Sequence, residues 1–148
     1  PGKLSPEQWE TMKQHCVIGA ETFHQDSKIM KLFLILQEDN TQTVNKNGEN
    51  PLHQMAATIA LTHHEKWNGT GYPKGLAGKE IPFESRITAI SDVYDALSSA
   101  RPYKPSFTED KVMSILSEEA GGHFDPEVYE AFEKSAEEFR DIKAQFTD

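Results

Sequence analysis

Long apolar runs are scarce in this chain. The longest, Ile29 to Leu36, is broken by Lys31 and falls far short of the roughly 20 residues a membrane-spanning helix needs. Cysteine is nearly absent. Cys16 stands alone, which excludes an internal disulfide and fits a reducing, cytoplasmic setting. Basic residues are few: Lys and Arg total 15 against 24 Asp and Glu, for a formal charge of -9. A duplex DNA or RNA partner needs a basic footprint that this balance does not provide. A small anionic ligand stays open if metal ions or a local Arg/Lys pair neutralise it. No signal-peptide pattern opens the chain. It begins with Pro1 rather than Met, and the expectation is a piece of a longer protein. The 148 residues are 36% hydrophobic, 9% aromatic and 26% charged. That composition suits one folded domain over 1–148 rather than disorder.

Turn and cap signals divide the chain into helices. Ser5-Pro6 with Gln8 reads as a capped helix start. Trp9, Met12, Cys16, Ala20 and Phe23 then recur every three or four residues, with His15 beside the stripe. Ile29–Leu36 fits a short buried helix or a strand, and Gln37 to Asn50 a polar surface loop. Asn50-Pro51 opens a second helix whose expected inner face is Leu52, Met55, Ala56, Ile59, Ala60 and His63. A glycine-rich loop spans Tyr72 to Phe83. A third helix is expected over about 84–99, with Ile87, Ile90, Tyr94 and Leu97 inward and Pro102 as its stop. Thr108 is expected to cap a fourth, with Val112, Ile115 and Leu116 on its stripe, and Gly121-Gly122 to end it. Asp125-Pro126 begins a fifth that carries Val128, Phe132, Phe139, Ile142 and Phe146. No strand-period run competes, so the fold class is all-α.

The residues with chemical potential cluster. His63 and His64, at the end of the second helix, project about 100° apart and lean inward. Asp92 lies beside the inward face of the third helix, and His15 on the first helix could complete the set. Such nitrogen and oxygen donors suit iron, manganese or similar ions. Two readings stay open on spacing alone: a metal site, or histidines that are hydrogen-bonded core residues. Cys16 falls on the apolar stripe and reads as packing.

The segment His63-His64-Glu65-Lys66-Trp67-Asn68-Gly69-Thr70-Gly71-Tyr72-Pro73-Lys74-Gly75-Leu76 resembles the defining motif of the HD-GYP family. These proteins are a subgroup of the HD-domain metal-dependent phosphohydrolases. The resemblance continues through Gly78, Ile81-Pro82, Arg86-Ile87, Ser91 to Leu97, Arg101-Pro102-Tyr103-Lys104 and Gly122 to Pro126. Upstream, Pro1 to Leu4 and Met12 to His15 also match. It implies a helical bundle of the HD type and a phosphodiesterase that opens cyclic di-GMP or a related cyclic dinucleotide, using two or three divalent ions such as iron or manganese. By the motif, His15, His63, His64 and Asp92 resemble metal ligands. Arg101 and Lys104 resemble the pair that holds substrate phosphate, and Gly71 and Tyr72 the loop beside the site. Read without the motif, Arg101 and Lys104 are a solvated surface pair. Glu65 and Asp95 fit a supporting shell around the ligands; an ordinary helix salt bridge for Glu65 and a cap for Asp95 are equally open. Arg86 is expected to hold the loop by a salt bridge, and His123 and Asp125 to cap the fifth helix.

The sequence departs from the family in two places. The name-giving His-Asp pair and its following Gly-Lys are not found among the 148 residues. The family places them just before the segment matching Pro1 to Leu4, so the bundle is expected to be incomplete at its N-terminus. Little or no turnover is expected from these residues alone. The stretch between His15 and His63 is also longer than usual in the family. This points to an insertion near 28–50 that acts as a surface spacer, a lid or a dimer contact. A non-catalytic alternative is a module that docks a partner, such as a diguanylate cyclase (GGDEF protein), through the Gly-Tyr-Pro loop. A third reading is a helical scaffold or dimerisation piece.

Overall fold

The computed structural model describes residues 4–37, 50–100 and 106–145, with the backbone alone for 24–37 and 143. Arg101, Lys104, Pro102, Phe146 and the loop expected within 37–50, apart from its ends, lie outside the described residues, as does the side chain of His24. Among the described residues six α-helices follow in order: α1 Pro6–Gln37, α2 Pro51–Thr62, α3 Phe83–Ser98, α4 Glu109–Glu118, α5 Pro126–Lys134 and α6 Ala136–Gln145. A single 3-10 turn, Gly78–Glu80, interrupts the loop between α2 and α3. The described residues form no strand, only two isolated bridges, so the all-α expectation holds.

Three helix starts lie where their cap signals put them. The Ser5 amide donates to Gln8 Oε1 at 2.8 Å, and the Gln8 amide donates back to Ser5 Oγ at 3.3 Å. This reciprocal pair satisfies donors that a helix N-terminus otherwise leaves unpaired. Asn50 Oδ1 accepts from the Leu52 amide, with Pro51 at the first helical position. Asp125 Oδ1 accepts from the Glu127 amide ahead of Pro126 in the same way.

Other expectations need correction. Ile29–Leu36 is neither a separate helix nor a strand; it continues α1 without a break. Thr108 occupies the N-cap position of α4, but its hydroxyl makes no cap hydrogen bond. The expected fifth helix is two. Ser135 ends α5, its amide shared between the carbonyls of Ala131 and Phe132. The bend lets Phe139 of α6 fold back onto Phe132 and Tyr94, with ring centroids 4.8 and 5.8 Å away. Ile142, one turn further, is exposed.

The main core joins α3, α4 and α5. Ile90, Tyr94, Val112, Leu116, Phe124, Val128, Tyr129 and Phe132 form its buried cluster. Ile87 does not join them. It is exposed, at the rim of an open cavity of about 400 Å³ between α3 and the α5–α6 corner. A second layer packs α2 on α1, where Cys16 and Ala20 are buried at a four-residue spacing. The inner face of α2 is rotated from the expected one: Ala57 and Thr62 are buried while Leu52 and Met55 are exposed. Ala60, on the expected face, comes close to Gly19 of α1. The layers are joined at a buried hydroxyl pair, Thr62 and Ser85, 2.7 Å apart. Thr62 donates to the Thr58 carbonyl, so the Ser85 hydroxyl supplies the hydrogen between them.

Candidate metal centre

The α1–α2 pair brings three imidazoles together at one end. His15 projects from the third turn of α1. His63 is the C-cap of α2, its amide bonded to the Ile59 carbonyl, and His64 follows. Their ring centroids lie 5.7 Å (His15–His63), 5.1 Å (His15–His64) and 4.1 Å (His63–His64) apart. Asp92 on α3 is exposed, yet its carboxylate acts on the charge states of His64, Tyr72 and His123. The three histidines read from the sequence as donors therefore gather in one region, while Asp92 reaches them through its charge.

Proton positions follow from the hydrogen bonds. His15 Nδ1 lies 2.6 Å from the Met12 carbonyl. His63 Nδ1 lies 2.9 and 3.0 Å from the carbonyls of Ile59 and Ala60. A carbonyl only accepts, so both Nδ1 atoms carry the hydrogen and both Nε2 atoms keep a lone pair. Pinning one ring nitrogen to backbone fixes the tautomer and aim of the other, as metal-binding histidines require. His64 is held neutral. Burial first, then the neighbouring His63 and His15, push its pKa down to about 4 against the opposing pull of Asp92. A neutral imidazole is the form that binds a metal ion. The donor set thus fits divalent ions.

The Gly-Tyr-Pro loop lies against this cluster. Tyr72 packs on His64 with centroids 4.9 Å apart and meets Trp9 of α1 edge-on at 5.7 Å. Burial, then Cys16 and Asp92, push its phenol up to about 12. The Tyr72–Pro73 peptide is cis. Gly71 is required by close approach: a Cβ there would lie 2.3 Å from the Lys66 nitrogen and 2.5 Å from Glu65 Cα. Those are backbone atoms, with no flexible tip to move aside.

Glu65 is a strut of this loop. It is 2% exposed, and its two oxygens accept from the amides of Lys74 (2.7 Å) and Leu76 (3.0 Å). Neither expected role describes it: its carboxylate bonds neither a ligand histidine nor a helix cation. Asp95 is exposed and accepts from Ser99 Oγ near the end of α3, which is the local cap rather than a support for the ligands. Arg86 holds the loop as expected. Its guanidinium pairs with Asp125, donates to the Ile81 carbonyl at 3.0 Å, and lies over the rings of Phe83 and Trp67. Asp125 caps α5, whereas His123 does not. His123 instead stacks on Phe124, and its carbonyl accepts from the Trp67 amide at 2.9 Å. The sequence reading missed that backbone clamp and the role of Glu65. The signal available for Glu65 was its position just before a glycine-rich run, whose amides need acceptors.

His123 gives the metal-free protein a pH dependence. Burial, then Lys66, lower its pKa, against the opposing pull of Glu119 and Asp92. The folded state therefore resists a proton that the unfolded chain accepts near pH 6.5. The stability so conferred is complete above about pH 6.5 and is lost as pH falls below it. The urea midpoint of the metal-free protein should drop as pH falls below about 6.5, and less steeply in His123→Gln. Equal slopes in the two proteins would contradict this.

Comparison with known proteins places the arrangement. Residues 20–128 match the family described as HD domain. The chain belongs to the HD-domain family, in its HD-GYP subgroup. It is 45% identical over 148 residues to a cyclic di-GMP phosphodiesterase of Vibrio cholerae, covering 100% of this chain and 27% of that protein. It is 36% identical over 148 residues to the 3'3'-cGAMP-specific phosphodiesterase 2 of the same organism, covering 100% of this chain and 24% of that protein. The chain thus spans about a quarter of the length of these curated relatives. A crystal structure of a cyclic GMP-AMP-specific phosphodiesterase from V. cholerae shares the fold, at TM-score 0.51 and 24% identity over 64% of this chain and 21% of that one. Among the described residues, no helix is long and apolar enough to cross a membrane.

Proposed function

We propose that these residues supply most of the metal centre of a phosphodiesterase that hydrolyses cyclic di-GMP or a related cyclic dinucleotide. The observation that carries this reading is the convergence of His15, His63 and His64, with the Nδ1 atoms of His15 and His63 tied to backbone carbonyls. His15, His63, His64 and Asp92 hold two or three divalent ions, iron or manganese by the nature of the donors. When bound, such ions activate water and polarise phosphate oxygens for in-line displacement.

The chain's own groups do the rest. Arg101 offers a planar fork to a phosphate and Lys104 a point charge, which lets a chain of net charge -9 take an anionic substrate. Gly71 and Tyr72 form the wall of the site. Tyr72 stays protonated through the physiological range, so it offers a donor hydroxyl and an apolar ring rather than a repelling anion. Glu65 and Arg86 fix that wall from behind. The family's His-Asp pair is not among these residues.

Both relatives named above act on cyclic dinucleotides, so the test is hydrolysis of cyclic di-GMP and of 3'3'-cGAMP by the full-length protein. Linear product from cyclic di-GMP is expected, with His63→Ala lowering kcat by at least about 10²-fold, the scale of losing a transition-state charge stabiliser. Wild-type-like turnover by that variant would overturn the assignment. Binding of either nucleotide without hydrolysis would favour the non-catalytic module, for which docking to a diguanylate cyclase is the corresponding assay.

A further inference from the structure

The cysteine read from the sequence as packing stands among the imidazoles. Cys16 is 1% exposed, and its Sγ lies 3.5 Å from His15 Nε2. One ligand atom each from His15, Cys16 and His63 all fall within 4.8 Å of one another. His15 Nδ1 is occupied by the Met12 carbonyl, so the nitrogen facing the sulfur is the one with the free lone pair. His63 Nδ1 is likewise occupied by Ile59 and Ala60. The spacing has a specific meaning. In a tetrahedral site with metal–sulfur and metal–nitrogen distances of about 2.3 and 2.05 Å, sulfur and nitrogen stand about 3.6 Å apart.

We infer that Cys16 is a thiolate ligand to one ion of this centre, sharing it with His15 and His63. The inference rests on the metal-centre reading above and deepens it by adding a sulfur donor. As the sulfur–metal bond forms, the S–H bond breaks and its proton passes to solvent; no electron is transferred. A soft sulfur donor shifts the preference of that position toward zinc, iron(II) or cobalt(II) and away from manganese and magnesium. His64 and Asp92, outside this sulfur-bearing group, offer nitrogen and oxygen donors. The centre therefore offers two chemically distinct sets of donors.

Cobalt(II) is the probe, because a cobalt–thiolate bond gives a near-ultraviolet charge-transfer absorption that imidazole and carboxylate donors do not. Metal-stripped, reduced full-length protein is titrated with cobalt(II) alone. The band should grow in proportion to bound cobalt. It should disappear in Cys16→Ser and in Cys16→Ala, with cobalt affinity falling by at least about tenfold, the lower limit for loss of even an outer-shell partner. The wild-type spectrum carries a result of its own if a variant folds poorly. Tight cobalt binding without the band, or a band that survives both substitutions, would overturn the sulfur ligand and leave the metal centre standing. Failure of the wild-type protein to bind cobalt at all would overturn both.

Discussion

Replacing Arg86 with alanine is expected to lower the free energy of unfolding by about 3–5 kcal/mol, the usual cost of removing one partner of a buried ion pair. Asp125 is 1% exposed at its side chain and Arg86 13%. Truncation would leave a carboxylate in the core with one amide partner, from Glu127. The same change removes the donor to the Ile81 carbonyl and uncovers the faces of Phe83 and Trp67. Asp125→Asn separates these effects. It keeps an oxygen to cap α5 but loses the charge, so it should cost less than Arg86→Ala. The double variant should fall well short of the sum of the single ones. Chemical denaturation measures all three, and a cost under about 1 kcal/mol for Arg86→Ala, the level of a surface pair, would show that the pair is solvated.

The second large effect is expected at Glu65. Two amides depend on its carboxylate, and hydrogen bonds to a charged acceptor contribute about 1.5–3 kcal/mol each. Glu65→Ala should therefore destabilise the protein by about 3 kcal/mol or more. Glu65→Gln should not restore it fully, because one amide N–H would then face the side-chain NH2. Hydrogen exchange gives the local readout. The Lys74 and Leu76 amides should exchange much faster in Glu65→Ala, while amides in the α4–α5 core should change only by the global loss of stability. Unchanged protection at Lys74 and Leu76 would refute the strut. Tyr72 lies on the same loop and against His64, so this variant should also loosen the wall of the metal centre.

The helix starts were legible in the sequence because caps are local. Ser5-Pro6, Asn50-Pro51 and Asp125-Pro126 each place a side-chain acceptor two or three residues before an amide that needs one. The approach of His15, His63 and His64 to one another was legible through the motif, with inward-leaning positions as its physical counterpart. What escaped was set by contacts distant in the chain. Nothing local marks Ser135 as a helix end; beyond it Phe139 meets Phe132 and Tyr94. Ile87 has the spacing of a core residue, yet among the described residues it stays exposed at a cavity rim. Glu65 resembles any helix-end acid until the loop curls back and offers it two amides. Cys16 has the apolar spacing of a packing residue and is buried as one, yet its sulfur faces a histidine, a direction that periodicity does not encode.

Metal analysis of the natively purified full-length protein tests the central claim most directly. The account predicts stoichiometric bound transition metal, lost or sharply reduced in His63→Ala without loss of helical content. A wild-type protein that is metal-free and takes up none when supplied with iron(II) or manganese, its imidazoles resting on backbone carbonyls alone, would contradict it.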